Sequence, residues 1–346
     1  MANLFTRVAY RLSHSARVAW YGGHHVLANR LARPIAFAER KPKVESKYPD
    51  TERFLGEMRA LFERDLANIE AGVYAAPAAF ESTGIRTLDR SIAFLRDIPD
   101  VARRRRDHGH DEVLSEELRE RFPRYYLQNF HYQTGGWLTE QSAKLYDFQV
   151  ETLFSGTADA MRRQALVPIA EYIKGRDQRR VALLDIAAGT GRFLTFVKDT
   201  WPKLRVAALD LSPTYLEEAR RNLKPWRDIV FVEANAEKTP FADASQDIVT
   251  AIYLFHELPP KVRTVVVKEI ARVLKPNGLF VLVDSIQPAD LPGFEALMEY
   301  FPQAFHEPYF TSYLDWPVQS ECAAAGLEMQ SSTTAFLSKI AAFQQR

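Results

Sequence analysis

A loop of small residues between an apolar run and a helix constrains the fold of this chain more than any other feature. The apolar run spans residues 181–186, and the loop lies within the sequence LLDIAAGTGRFL that follows from residue 183. Further short apolar runs, separated by amphipathic stretches, lie at residues 206–209, 229–232, 248–254 and 279–283. This alternation predicts right-handed βαβ units, and therefore an α/β fold with a parallel sheet between two layers of helices.

The end of the chain extends this sheet. After Gly326, two extended segments at residues 327–334 and 336–343 predict an antiparallel hairpin at the edge of the sheet. The complete prediction is a doubly wound, seven-stranded, mostly parallel sheet with an antiparallel C-terminal hairpin.

The first third of the chain shows helical periodicity instead. Apolar residues repeat at spacings of three and four between residues 48 and 107. We therefore expect an α-helical N-terminal domain over residues 1–125 and a sheet domain over residues 126–346. An aromatic segment with two glycines opens the second domain, and we predict that residues 126–164 form a lid over a ligand, with Gln133 as a polar contact. The alternative is a linker whose aromatic side chains belong to the core.

The small-residue loop suits a positively charged nucleoside better than a dinucleotide. A dinucleotide site has a third glycine for close packing, but Leu194 stands at that position. Asp185 would repel a pyrophosphate, whereas S-adenosylmethionine (SAM) carries an ammonium and a sulfonium group that an acid attracts. Asp210 follows the second strand, 19 positions after Gly191. That spacing is near the ~20 positions typical of a carboxylate that holds a ribose, which both SAM and NAD contain.

These motifs resemble those of the class I SAM-dependent methyltransferases, especially the group that includes the ubiquinone and menaquinone biosynthesis methyltransferases. Residues 185–191 match the family's first motif, and residues 235–241, NAEKTPF, are similar to its segment beside the adenine. Residues 269–278, EIARVLKPNG, resemble the helix and turn before the fifth strand, and the resemblance covers about residues 166–346. It implies SAM as the cofactor and, with Gln133 added from the lid, these cofactor-binding residues: Asp185, Ala187, Ala188, Gly189, Gly191, Asp210, Leu211, Asn235 and Ala236.

Three residues are candidates for catalysis. His256 and Glu257 follow the fourth strand, at the edge where open α/β sheets bind ligands. His306 lies in the segment FHEPY, between the fifth and sixth strands, which borders the acceptor in the enzymes that this chain resembles. A histidine at either place would take a proton from the acceptor. Alternatively, His256 only lines the pocket, and His306 belongs to a surface turn held by Pro308.

The composition indicates which binding partners and which cellular compartment to expect. The formal charge of +1 gives no reason to expect nucleic acid as a partner. The single cysteine, Cys322, excludes an internal disulfide and a CxxC metal site, so we expect a reducing, cytoplasmic compartment. We expect no bound metal, because no cluster of ligands has a recognisable spacing.

Residues 1–43 form a basic stretch with a single acid, Glu39. Apolar side chains occur there at helical spacing, with arginines beside them: Leu4, Phe5, Val8, Leu12, Ala16 and Ala19. A basic amphipathic helix binds an anionic membrane surface, or it packs its apolar stripe on its own domain or on a partner subunit. The sequence leaves these alternatives and the oligomeric state open.

The predicted function is transfer of a methyl group from SAM to a small acceptor, hydrophobic or aromatic, such as a lipid or a quinone. A first alternative is a non-catalytic SAM-binding or assembly protein whose helical domain is the working part. A second is a nicotinamide-dependent oxidoreductase, against which Leu194 and Asp185 both argue.

Overall fold

A computed structural model describes residues 4–35, 42–77 and 85–346. Its helices are α1 (Leu4–Ala32), α2 (Thr51–Glu70), α3 (Ile85–Asp107), α4 (Glu116–Arg121), α5 (Glu140–Leu153), α6 (Ala158–Arg163), α7 (Leu166–Ile173), α8 (Arg192–Thr200), α9 (Pro213–Asn222), α10 (Pro260–Val273), α11 (Glu295–Ala304), α12 (Phe310–Leu314) and α13 (Val318–Ala324). Its strands are β1 (Ala182–Ile186), β2 (Arg205–Asp210), β3 (Ile229–Glu233), β4 (Gln246–Ile252), β5 (Leu274–Ser285), β6 (Leu327–Ala335) and β7 (Ser338–Gln345).

The seven strands form one sheet in the order β3-β2-β1-β4-β5-β7-β6. Strands β1 to β5 pair in parallel, and β7 pairs antiparallel with both β5 and β6. The predicted fold class is therefore confirmed, including the C-terminal hairpin. Strand order reverses between β1 and β4, and a crevice at such a reversal, beyond the carboxyl ends of the strands, is where open α/β sheets bind ligands.

Strand β5 is longer than the sequence predicts. It begins at Leu274, five residues before the apolar run at 279–283, because Leu274 still pairs with Gln246 of β4. The pairing shifts register between Gln246 and Ile248. The polar residues 275–278 therefore belong to the strand, although their low hydropathy does not indicate one.

Helices of the N-terminal part pack directly on the sheet. One apolar core contains Leu61 of α2 and Tyr74 together with Ile169, Leu183 and Val281 of the later part. All five are buried. Residues before and after position 125 thus share a core, and the domain boundary at that position stays a prediction.

Helix α1 turns its apolar stripe outward. Its inner face carries Tyr10, His14 and Tyr21, which are buried, while Val8 and Leu12 are 50% and 67% exposed. The stripe continues along the exposed face through Trp20, Val26, Leu27 and Leu31. The prediction that the stripe packs on its own domain is therefore wrong for those stripe residues whose side chains the structure describes. Leu4 and Phe5 are not among them. Within the described ranges, no helix combines the length and the apolar character that crossing a bilayer requires.

Candidate active site

The carboxylate of Asp185 lies near the end of β1, beside the small-residue loop. Its Oδ1 accepts a hydrogen bond from Thr250 Oγ1 of β4 at 2.6 Å. Burial, and to a smaller extent the charge of Asp210, raise the pKa of Asp185 to about 7. Because Asp185 forms no ion pair with a described lysine, arginine or histidine, a cationic ligand would favour its charged form.

Asp210 ends the neighbouring strand β2 and organises the loop from the other side. Its Oδ2 accepts a hydrogen bond from the backbone N–H of Gly189 at 2.7 Å, and its Oδ1 accepts one from Ser212 N at 2.8 Å. Burial raises the pKa of Asp210 to about 6, although these bonds favour the ionised form. Gly189 has φ +55°, which places it in the left-handed region that favours glycine.

Gly191 is packed closely against the neighbouring helix, and its contact with SAM stays a prediction. It is the N-cap residue of α8 with φ +72°, and a Cβ there would approach Leu223 to 2.8 Å and Ala219 to 3.2 Å. The missing side chain therefore lets α8 lie close to α9 and its C-terminal end. Gly191 is not among the residues that line the neighbouring pocket.

A pocket opens at the carboxyl ends of β1, β2 and β4. Eight predicted cofactor residues line it, namely Asp185, Ala187, Ala188, Gly189, Asp210, Leu211, Asn235 and Ala236. Four aromatic side chains from the predicted lid and its borders face them: Tyr125, Tyr126, Trp137 and Tyr146. The pocket is thus lined on one side by backbone and carboxylate groups and on the other by these four aromatic side chains, which we call the aromatic wall.

The match with known proteins covers this sheet region. Residues 183–278 match a family described as a methyltransferase domain. A demethylmenaquinone methyltransferase of Beutenbergia cavernae is 31% identical over 216 residues, which are 58% of this chain and 84% of the relative. The chain belongs to the class I SAM-dependent methyltransferases. Its cofactor is SAM.

Two further proteins are similar to parts of the chain. A malonyl-(acyl-carrier protein) O-methyltransferase of Xylella fastidiosa is 30% identical over 160 residues, 44% of this chain and 50% of that protein. The chain therefore matches only half of that relative's length. A solved SAM-dependent methyltransferase from Aquifex aeolicus is 18% identical, with a TM-score of 0.39 and coverage of 53% of this chain and 89% of the other.

Stacking and one backbone contact hold the aromatic wall of this methyltransferase. Trp137 stacks on Phe130 with ring centroids 4.2 Å apart, and its carbonyl accepts a hydrogen bond from Ser212 Oγ at 2.5 Å. Gln133 is buried behind the wall, where its Nε2 donates to Gly136 O at 2.7 Å and Ser142 Oγ at 2.9 Å. The segment covers the pocket, but Gln133 itself does not line it, and its contact with SAM stays a prediction.

Of the three predicted catalytic residues, only Glu257 lines the pocket. Burial raises its pKa well above the usual range, and the charge of Glu307 adds to this effect. His256 lies behind it, with Nδ1 2.6 Å from Asp284 Oδ1. Burial alone would lower the pKa of His256, but the Asp284 charge and hydrogen bond raise it to about 9. His256 therefore holds its proton near neutral pH, which does not suit a general base.

His306 lies away from the lining residues. Its Nε2 is 2.8 Å from Gln128 Oε1, and its ring stacks on His110 with centroids 4.2 Å apart. Burial and the neighbouring His110 lower the pKa of His306 to about 4. The structure thus gives no contact between this imidazole and the pocket, and its role as a base stays a prediction.

Sequence reasoning missed the polar residues that border the methyltransferase pocket on its helical side. Asp147 accepts a hydrogen bond from Thr190 Oγ1 at 2.9 Å, and Arg162 and Arg192 join it in the lining. Arg192 directly follows the motif, where it contacts Asp159 at 2.7 Å. Asp147 and Arg162 lie in helical stretches whose periodicity carries no signal of a ligand.

Proposed function

We propose that this methyltransferase transfers the methyl group of SAM to a small hydrophobic or aromatic acceptor. The observation that carries the proposal is the aromatic wall of Tyr125, Tyr126, Trp137 and Tyr146, which encloses the same pocket as the cofactor loop. Aromatic side chains stack favourably on planar rings and exclude water. The demethylmenaquinone methyltransferase of B. cavernae is named for a quinone acceptor, which agrees with such a wall.

In the proposed reaction, a nucleophilic atom of the acceptor forms a bond to the methyl carbon while the bond from that carbon to sulfur breaks. The electron pair of the broken bond stays on sulfur, which becomes a neutral thioether, and the positive charge passes to the acceptor, which loses it by releasing a proton to water. Because the sulfonium is already activated by its charge, the protein contributes alignment and exclusion of water. Glu257 borders the acceptor in this proposal, and His256 acts as a positioning residue for it.

The cofactor part is tested by calorimetry with SAM and the variant Asp210→Ala. We expect at least a tenfold weaker affinity, since each hydrogen bond from a ribose hydroxyl to a carboxylate contributes about 1.5–3 kcal/mol. The exposed acid Glu217 offers the control Glu217→Ala. An unchanged affinity in Asp210→Ala would refute the placement of the ribose at this carboxylate.

The reaction is tested with SAM labelled in its methyl group, a cell extract and mass spectrometry of the labelled products. A labelled small aromatic or lipid product supports the proposal. Tight SAM binding without a labelled product would favour the non-catalytic alternative.

We also propose that residues 1–43 contact an anionic membrane surface, where a hydrophobic acceptor is available. The exposed stripe of α1 supports this, because Val8, Leu12 and Leu31 face outward beside Arg11 and Arg30. A helix that combines an apolar stripe with cationic neighbours inserts its apolar face at the boundary of the headgroups.

Sedimentation with phosphatidylglycerol vesicles tests this contact. We expect Leu12→Glu to reduce binding about tenfold or more, since burial of one leucine contributes about 1.5–3 kcal/mol. Val265→Glu is the matched control, because Val265 is a 42% exposed apolar residue on α10. Equal sedimentation of the two variants would remove the membrane part and leave a partner subunit as the occupant of the stripe.

A further inference from the structure

Three potential ligand residues meet beside the pocket although they come from distant parts of the sequence. They are His131 of the lid segment, Glu257 after β4, and Glu307 between α11 and α12. One ligating atom from each lies within 4.8 Å of the others. Within the described ranges, one group of three or more potential metal ligands has this geometry, and it consists of these residues. We call these three residues the His–Glu–Glu cluster.

Glu307 is the most deeply buried member of the cluster. Its side chain is 0% exposed, and its Oε2 atom has no hydrogen-bond donor among the described residues. Its other oxygen, Oε1, lies in close contact with Nε2 of His131, so these two atoms are each other's polar partners. Buried polar atoms are nearly always satisfied, so an oxygen left without a partner points to a missing ligand.

The charges around the cluster are unbalanced. Glu257 and Glu307 lie close together, and the buried carboxylate of Asp284 is near them. Within the described chain, the basic side chains in contact with these carboxylates are imidazoles: His131 contacts Glu307, and His256 contacts Asp284 and lies 3.7 Å from Glu257. Buried carboxylates without sufficient compensation are strongly unfavourable. Two arrangements relieve this, a proton shared between the carboxyls or a bound cation.

We propose that the His–Glu–Glu cluster binds a divalent cation. One imidazole nitrogen and two carboxylates are ligands that suit Zn²⁺ and Mn²⁺, whereas a site for Mg²⁺ or Ca²⁺ is built mainly from oxygen atoms. A shared proton would join only the two carboxyls, whereas the three ligating atoms here all lie within 4.8 Å of one another. A cation satisfies all three side chains at once.

The location links the cation to the pocket. Glu257 belongs both to the cluster and to the pocket lining, so a bound cation would lie at the border of the acceptor space. Three protein ligands leave coordination positions for water or for an oxygen atom of the acceptor. A cation at that place lowers the pKa of a hydroxyl group bound to it, which makes oxygen-bearing acceptors the favoured class. This last step rests on the proposed function, whereas the binding of the cation does not.

The experiment is calorimetry of the full chain, first treated with a chelator and then titrated with ZnCl₂ or MnCl₂. We expect one cation per chain in the wild type and binding at least tenfold weaker in both Glu307→Gln and His131→Gln. The matched controls are His110→Gln and Glu117→Gln, which replace residues outside the cluster and should bind as the wild type does. Absence of binding to the wild type, or equal binding in the cluster variants, would overturn the proposal in favour of a shared proton.

A second measurement uses the wild type alone, in case a variant does not fold. Paramagnetic Mn²⁺ should broaden the NMR signals of His131 and His256 in histidine-labelled protein before those of His24 and His25 on α1. Broadening confined to other histidines would overturn the site. Cation binding without methyl transfer would retain this inference and contradict the proposed function, while transfer by a protein that binds no cation would do the reverse.

Discussion

Buried carboxylates in the helical part of the molecule differ from those at the pocket in how their charge is compensated. Asp65 of α2 is held by Arg163 of α6, with Nη2 and Oδ2 2.5 Å apart and both side chains almost completely buried. Asp159, which also belongs to α6, contacts Arg17 of α1 at 2.5 Å and Arg192 of α8 at 2.7 Å. At these two acids of the helical part, arginines from other segments balance the charge.

The acids at the pocket lack such partners. Among the described residues, Asp185 and Asp210 form no ion pair, and burial raises the pKa of both. Within the described ranges, the ion-pair partners of Glu257 and Glu307 are imidazoles, not arginines or lysines. Balanced charges thus join the helices to the sheet, whereas the unbalanced charges agree with the two cationic ligands that we propose, the SAM cation at Asp185 and a divalent ion at the His–Glu–Glu cluster.

The largest effect is expected from breaking a balanced pair. Arg163→Met should lower the free energy of unfolding by about 3–5 kcal/mol, because Asp65 would remain buried without its counter-charge. Urea denaturation measures the loss. The control Lys144→Met breaks an exposed ion pair with Glu140, which contributes about 0–1 kcal/mol. Equal losses in the two variants would contradict the distinction between buried and exposed pairs.

The affinity for SAM should depend on pH through Asp185. Its pKa of about 7 in the free protein means that the charged form, which attracts the ammonium group, is lost as the pH falls below 7. Affinity should therefore decrease by up to tenfold per pH unit between pH 7 and 5, and binding near pH 7 should release a proton. Calorimetry in buffers of different ionisation enthalpy measures both effects.

The control for this profile is Asp185→Asn. It should bind SAM more weakly at pH 7 and show a flatter pH dependence, because the titrating group is gone. A profile as steep as that of the wild type would assign the titration to another group, such as Asp210.

A smaller effect of opposite sign is expected from an unbalanced acid. Glu307→Gln should raise the free energy of unfolding of the cation-free protein by on the order of 1 kcal/mol, since it removes a buried acid that lies beside the second buried acid, Glu257. Thermal melting in the presence of a chelator measures the change. A clear destabilisation would show that Glu307 is balanced in the free protein, as Asp65 is.

The sequence predicted those parts of the site that lie within one βαβ unit. Asp185, Gly189 and Asp210 could be placed at the pocket because each lies near the end of an apolar run or in the loop that follows it, and parallel strands bring such ends together. Gly191 was predicted as a ligand contact, but its motif position does not reveal that Leu223 lies where a side chain would be. The chemistry of a loop is local, whereas the reason for a missing Cβ depends on tertiary packing.

Groups assembled from distant segments were not predictable. His131, Glu257 and Glu307 have no characteristic spacing in the sequence. No sequence pattern therefore indicates a metal site, and none is expected from the sequence. The orientation of α1 was hidden for a different reason. Its inner face uses Tyr10, His14 and Arg17, which hydropathy assigns to solvent, and the apolar side chains lie on the outside.

Asp159 affects how the first helix can be studied. This one carboxylate is shared by Arg17, which belongs to α1, and Arg192, which lines the cofactor pocket. A truncated protein without α1 would lack the Arg17 guanidinium that contacts this carboxylate. Reduced turnover of the truncated protein would therefore reflect a change in the pocket as well as the loss of membrane contact. Single replacements on the outward face, at Val8 or Leu12, leave Arg17 in place and separate the two effects.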